Sequence, residues 1–175
     1  MTHEPTPLPL LPVEVDDPRR IFERVPFIRH VGLERDFSEG GRARLSLAPR
    51  PELGNVVGAI HGGAVLTLID VAMASATVSA EDFKRTAVTL DLHTVFVQPG
   101  RGALVAEAAV LRAADGIAWC EAEVRDGAGQ LVARGQGSFR YLPLPYGQGM
   151  PRPSDPQDVA DAAAGSAAGN AGAAR

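Results

Sequence analysis

The stretch from His61 to Ala80 constrains the fold most. Val65, Leu66, Leu68, Ile69, Ala72, Met73 and Ala76 recur on nearly every side of a helical period. A helix that is apolar almost all round has no face to offer water, so it belongs at the centre of a fold. Its one charged residue is Asp70, about two turns in, where aspartate is a poor helix former and cannot act as an N-cap. A buried carboxylate is costly unless it is paired or neutral. Thr67 and Ala74, its helical neighbours, can supply no positive charge. Misfits of this kind gather at functional sites, so Asp70 is the first candidate catalytic residue.

The flanking segments supply a sheet for that helix. Residues 41–48 alternate, with Ala43, Leu45 and Leu47 on one face of a half-buried strand. Pro49, Pro51 and Gly54 then mark a loop. Upstream, residues 20–28 predict a short helix, ended or kinked around Pro26. Four further strands are predicted at 86–97, 103–113, 117–125 and 130–141. The first carries Val88, Leu90, Leu92, Thr94 and Phe96 on one face. Asp115-Gly116 and Asp126-Gly127 are hairpin signals between the last three. Gly135 and Gly137 weaken the final strand and predict a bend there. Strand, long helix and antiparallel meander together predict an α+β fold, an antiparallel sheet wrapped around one long buried helix.

The chain's 175 residues suffice for one domain, expected over 19–143. Residues 1–18, rich in Pro, Asp and Glu, are expected to be a flexible arm, and the Ala/Gly-rich residues 144–175 a disordered tail. A net charge of -4 argues against a nucleic-acid partner. Cys120 is the one cysteine and reads as a small core hydrophobe; without a disulfide partner, a reducing, cytoplasmic setting is expected. Pro7, Pro9 and Pro12 break up the N-terminal leucines, unlike a secretory signal. Residues 64–80 read as too short and too interrupted to span a membrane comfortably.

The loop that enters the helix carries the remaining candidates. Gly62 and Gly63 stand where backbone N–H groups lack helical partners and the helix dipole is positive. An N–H with no side chain in the way suits an oxygen that gains negative charge. Asn55 can position a water or a carbonyl without changing charge. His61 stands at the helix entry.

The pattern N-x5-H-G-G-x6-D, running from Asn55 through His61, Gly62 and Gly63 to Asp70, resembles the signature of hotdog-fold thioesterases of the phenylacetate-pathway and hydroxybenzoyl-CoA type. Pro26-Phe27 followed by Val31-Gly32-Leu33 resembles that family's opening, and residues 86–99 its strand after the helix. The likeness covers 26–141. It implies a hotdog fold and hydrolysis of an acyl-CoA, aryl or short-to-medium, to free acid and CoA with no metal or organic cofactor. Carried over by position, Asp70 becomes nucleophile or general base and Gly62 the oxyanion donor. Asn55 helps hold the water or carbonyl, His61 orients the loop, and Thr89 aids the carboxylate. Gly63 and Met73 become substrate contacts, with Arg101, Arg125 or Arg134 as phosphate contacts. The resemblance implies a homodimer or homotetramer whose active sites lie at subunit interfaces, Asp70 facing the neighbour's Asn55 and Gly62. His93 departs from the family pattern and reads as a surface or interface histidine. The alternative functions are an acyl-CoA-binding hotdog protein without turnover, a hotdog hydratase and a pure assembly protein.

Overall fold

The computed structural model describes residues 17–144. The expectations for 1–18 and 144–175 therefore lie outside the described residues, apart from Asp17, Pro18 and Leu144. Two 3-10 turns, Pro18–Arg20 and Phe22–Arg24, lead into α1 (Pro26–Val31). Pro26 opens this helix instead of ending one: its missing N–H and fixed φ suit a first helical position. The single helix expected over 20–28 is accordingly split in two. Gly32, at φ 79°, provides the left-handed stop.

β1 (Leu33–Glu39) was not foreseen, because Glu34, Arg35 and Asp36 mask its alternation. Its signal is the Gly40-Gly41 pair, both at positive φ, which turns the chain tightly into β2 (Arg42–Leu47). A 3-10 turn (Pro51–Leu53) and a loop follow, then α2 (Gly62–Ala80). The remaining strands are β3 (Arg85–Phe96), β4 (Leu104–Ala114), β5 (Ile117–Asp126) and β6 (Leu131–Pro143). They form one antiparallel sheet in the order β1-β2-β4-β5-β6-β3. The expected meander holds for β4, β5 and β6 only. β3 crosses to the far edge and pairs with β6, a choice that local turn signals cannot report.

The sheet wraps α2, as the hotdog resemblance implies. Leu68, Ile69, Ala72, Met73 and Ala76 are fully buried against Ala106, Ala118, Ala122 and Ala133, so small residues on the sheet receive larger ones on the helix. Gly135 and Gly137 complete that surface. A Cβ at Gly135 would sit 2.5 Å from Ile69 Cγ2, and one at Gly137 would sit 3.3 Å from Met73 Cε. The ladders to β3 and β5 continue through both glycines, so they are notches for two successive turns of α2, not the expected bend. Cys120 is buried and shares a 3.2 Å hydrogen bond with Thr77 Oγ1.

α2 is, among the described residues, the one helix long and apolar enough to cross a membrane by length and composition. Asp70 does not disqualify it on that test; packing against the sheet gives it another role. Nor is it enclosed on every side. Leu66 is 38% exposed, and Gly63, Leu66, Thr67 and Asp70 follow one another along the side the sheet leaves uncovered.

A bulge in β3 decides which side chains meet that open side. Thr89 pairs with Phe139 and Asp91 with Ser138, leaving Leu90 as the extra residue. Cross-strand partners share a face, and Phe139 is buried toward α2. Ala87 and Thr89 therefore face α2 together with Leu92, Thr94 and Phe96, while Val88, Asp91 and His93 face away. The single face expected for Val88 to Phe96 is divided at Leu90.

Candidate active site

His61 is the N-cap of α2. Its backbone is extended (φ −60°, ψ 138°), and its Nδ1 accepts the Gly63 N–H at 3.0 Å. The Ala64 and Val65 N–H groups both donate to the His61 carbonyl, at 2.9 and 3.2 Å. The Gly63 and Ala64 bonds, with the His61 N–H donating to the Leu53 carbonyl at 2.7 Å, satisfy three of the four donors that a helix start leaves over, and the Val65 bond is the first regular one of the helix. The Gly62 N–H has no hydrogen-bond partner among the described residues. A Cβ at Gly62 would meet Phe96 Cζ at 3.5 Å, an ordinary contact, so Phe96 is the side chain that flanks this glycine.

Asn55 builds the loop that leads to this point. Its Oδ1 accepts from the N–H groups of Val57 (3.1 Å) and Ala59 (3.0 Å), and its own N–H donates to the Ala59 carbonyl at 2.8 Å. These bonds hold the loop and use none of the carboxamide's N–H donors. Asn55 and Gly62 border one cavity of about 310 Å³, with Val65, Phe96 and Pro99. Arg101 donates to the Gly58 carbonyl at 3.3 Å and lines the neighbouring cavity with Arg50.

Asp70 stands apart from this group. It lies eight residues along α2 from Gly62, roughly 12 Å along the axis. The Thr89 hydroxyl donates to its Oδ1 at 2.7 Å. No ion pair to Asp70 occurs among the described residues. Burial raises its pKa above the ordinary carboxylate value, and the Thr89 hydrogen bond opposes that rise. A half-buried carboxylate with one neutral partner is a good proton acceptor and a poor structural ion pair.

The sequence candidates thus fall into two groups. Asn55, His61, Gly62, Gly63 and Arg101 gather at the start of α2, and Asp70 and Thr89 gather two turns on. Met73 joins neither: it is fully buried beneath Gly137. Arg125 and Arg134 both grip Glu123 on the outer face of β5 and β6, where Arg134 pairs with Val95 of β3, and His93 is exposed on the outer face of β3. Phe96, read from the sequence only as a strand residue, walls the Gly62 cavity. Nothing local signals this, since it follows from the crossover of β3. Among the described residues, no group of three or more His, Cys, Asp and Glu is arranged to hold a metal ion.

A six-stranded antiparallel sheet wrapped on one long helix defines a protein of the hotdog fold. Comparison with known proteins gives the family. The model of the thioesterase superfamily matches residues 57–133. A relative from Halobacterium salinarum, provisionally named an esterase, is 32% identical over 123 residues, which is 64% of this chain and 82% of that one. A conserved protein of Pseudomonas aeruginosa has a solved structure that superposes with a TM-score of 0.65 at 36% identity, covering 67% of this chain and 94% of its own. The Escherichia coli PaaI protein from the phenylacetic acid degradation operon superposes with a TM-score of 0.65 at 22% identity, covering 70% and 88%, and shares the fold. The chain belongs to the thioesterase superfamily, and its activity is that of a thioesterase or esterase.

Proposed function

We propose that the protein hydrolyses acyl-CoA thioesters, with aryl or short-to-medium acyl groups, to the free acid and CoA. The observation that carries this reading is Asp70: a half-buried carboxylate with a raised pKa, held by a neutral hydroxyl on the open side of the core helix. A thioester carbonyl is electrophilic and its thiolate leaves readily, so one carboxylate and one oxyanion donor can suffice. The Gly62 N–H is that donor, strengthened by the dipole of α2. His61 fixes the helix start, and Asn55 offers its carboxamide N–H to the water or the carbonyl. Asp70 either attacks the carbonyl or takes a proton from water. Arg101 lies at the same end of the molecule as Gly62 and is the proposed contact for a CoA phosphate.

The separation of roughly 12 Å along α2 between Asp70 and Gly62 is too great for one carbonyl to bridge within a chain. We propose that a second copy closes the gap. β3 is an edge strand with Val88, Leu90, Val95 and Phe96 all exposed. Exposed apolar edges invite strand pairing. Antiparallel pairing of two β3 strands about a twofold axis near His93 sets Thr89 of one protomer against the Phe96 end of the other. That arrangement brings the Asp70 of one copy toward the Gly62 of its partner, in a homodimer that can pair further into a tetramer.

The test is thiol release from a panel of phenylacetyl-, benzoyl-, hydroxybenzoyl-, butyryl-, hexanoyl- and lauroyl-CoA, with wild type and Asp70→Asn. Turnover by wild type, and a loss of about a hundredfold or more in the variant, is expected. Turnover that survives the substitution removes Asp70 from the mechanism. A folded wild type that turns over none of the panel leaves acyl-CoA binding without catalysis as the better reading.

A further inference from the structure

The site at the start of α2 does not use a second cavity, of about 240 Å³, on the other half of the helix. Val71, Ala74 and Val78 line it from α2, Phe22 and Ile28 from the segment before β1, and Ala87 from β3. Two of these walls continue from the Asp70–Thr89 pair. Ala74 is one turn beyond Asp70 on the same side of α2. Ala87 is two residues before Thr89 on the same face of β3. The carboxylate therefore stands one helical turn from a chamber whose walls are mostly apolar, with Ser75, Arg85 and Thr86 as further polar members.

Arg35 closes the opposite side. It is on β1, and β1 and β3 are opposite edges of the sheet. Its guanidinium lies 4.9 Å from the centre of the Phe22 ring and 5.9 Å from that of Phe83. It donates to Glu23 Oε1 at 3.0 Å and to the Arg19 carbonyl. Its side chain is 13% exposed. A guanidinium held between two rings and two acceptors is fixed in place.

We propose that this cavity receives the acyl group of the thioester and that Arg35, as its end wall, sets the length accepted. The inference rests on the acyl-CoA reading above. An apolar cavity of about 150 Å³ admits benzene. The present one accordingly takes a ring on a short linker, or a short-to-medium chain of similar bulk. A longer chain meets an immobile cation that it cannot solvate. The same contacts tie the segment before β1 across α2, so Arg35 both ends the cavity and keeps it covered.

The experiment measures kcat/KM for butyryl-, hexanoyl-, octanoyl-, lauroyl- and phenylacetyl-CoA in wild type, Arg35→Ala and Ala74→Leu. The octanoyl-to-butyryl ratio should rise about tenfold or more when Arg35 is removed, and fall by as much when Ala74 is enlarged, the scale of one or two methylenes in an apolar pocket. The ratio is insensitive to partial unfolding, which lowers both substrates alike. Rates that fall in both variants at an unchanged ratio overturn the proposal while leaving the thioesterase intact. A wild type that cleaves no CoA thioester sinks the acyl-CoA reading instead. Calorimetry with octanoate and phenylacetate then decides the cavity: binding weakened by Ala74→Leu supports it, and no binding of either acid overturns it.

Discussion

The Thr89 hydroxyl reaches Asp70 Oδ1, at 2.7 Å, because β3 carries a bulge immediately after Thr89. With unbroken alternation, Thr89 would share the outer face of the sheet with Asp91 and His93. The extra residue at Leu90 puts Thr89 on the α2 side while Asp91 faces Ser138 on the other. The one neutral partner of the candidate catalytic carboxylate thus depends on a local irregularity in an edge strand.

Replacing Thr89 by valine keeps the β-branched shape and removes the donor. The Thr89 bond holds the Asp70 pKa down against burial, so its loss lets the pKa rise further. Because the ionised carboxylate is the reactive form, the acid limb of the pH–rate profile should move to higher pH. At neutral pH a loss of roughly tenfold is expected, the scale of one hydrogen bond to a charged group. A profile of kcat/KM from pH 4 to 9 reads both effects.

Asp70→Asn should lose activity and gain stability. Burial raises the Asp70 pKa in the folded state, so the folded form binds more protons than the unfolded one between the two pKa values. The wild type is therefore relatively favoured below the unfolded pKa, and it loses that advantage as pH rises through the folded pKa. Above both, the charged carboxylate carries a desolvation penalty that asparagine lacks. Thermal melts should show the Asn variant at or above wild type at pH 7, with the gap closing toward pH 4.

Gly62→Ala should separate folding from chemistry. The new Cβ meets Phe96 at 3.5 Å, ordinary contact, and an alanine in the first turn of a helix stabilises by about 0.4–1 kcal/mol when the backbone suits it. The methyl group nonetheless adds bulk at the residue whose N–H is proposed to meet the oxyanion. Unchanged or higher melting temperature with kcat lowered by about 10²–10³ is expected.

Mixing Asp70→Asn with Gly62→Ala protein tests the two-chain site. In a twofold dimer each site takes its carboxylate from one subunit and its N–H from the other. Random exchange makes half the dimers mixed, and each mixed dimer holds one intact site, so activity should recover to about a quarter of wild type. No recovery after verified exchange places both groups in one chain.

Gly135→Ala should disturb the seat of the core helix. Its Cβ would fall 2.5 Å from Ile69 Cγ2, too close without movement of α2. A loss of about 1–3 kcal/mol in denaturant unfolding is expected for overpacking of this kind. Ile69→Ala should cost less in the Gly135→Ala background than in wild type, since it removes the atom that clashes.

Much of this architecture was legible in the chain, and the rest was not. The period of residues 61–80 announced a core helix, and the misplaced Asp70 marked a candidate site, because burial and charge are decided by side-chain chemistry that the sequence states outright. Asp-Gly pairs marked two hairpins because turn chemistry is local. His61, Gly62 and Gly63 at the helix start followed from the same local rules. The position of β3 at the far edge, the bulge at Leu90, the notches for Ile69 and Met73, and Phe96 beside Gly62 depend on contacts between residues far apart in the chain. A glycine in a strand is written the same way whether it bends the strand or admits a helix, and a threonine gives no sign of which face a bulge will turn it to. Sequence alone determined the helix, the candidate chemistry and the kind of fold. Only tertiary packing decided that Thr89 meets Asp70, that Phe96 walls the Gly62 cavity, and that Arg35 reaches the cavity beyond Asp70 from the opposite edge of the sheet.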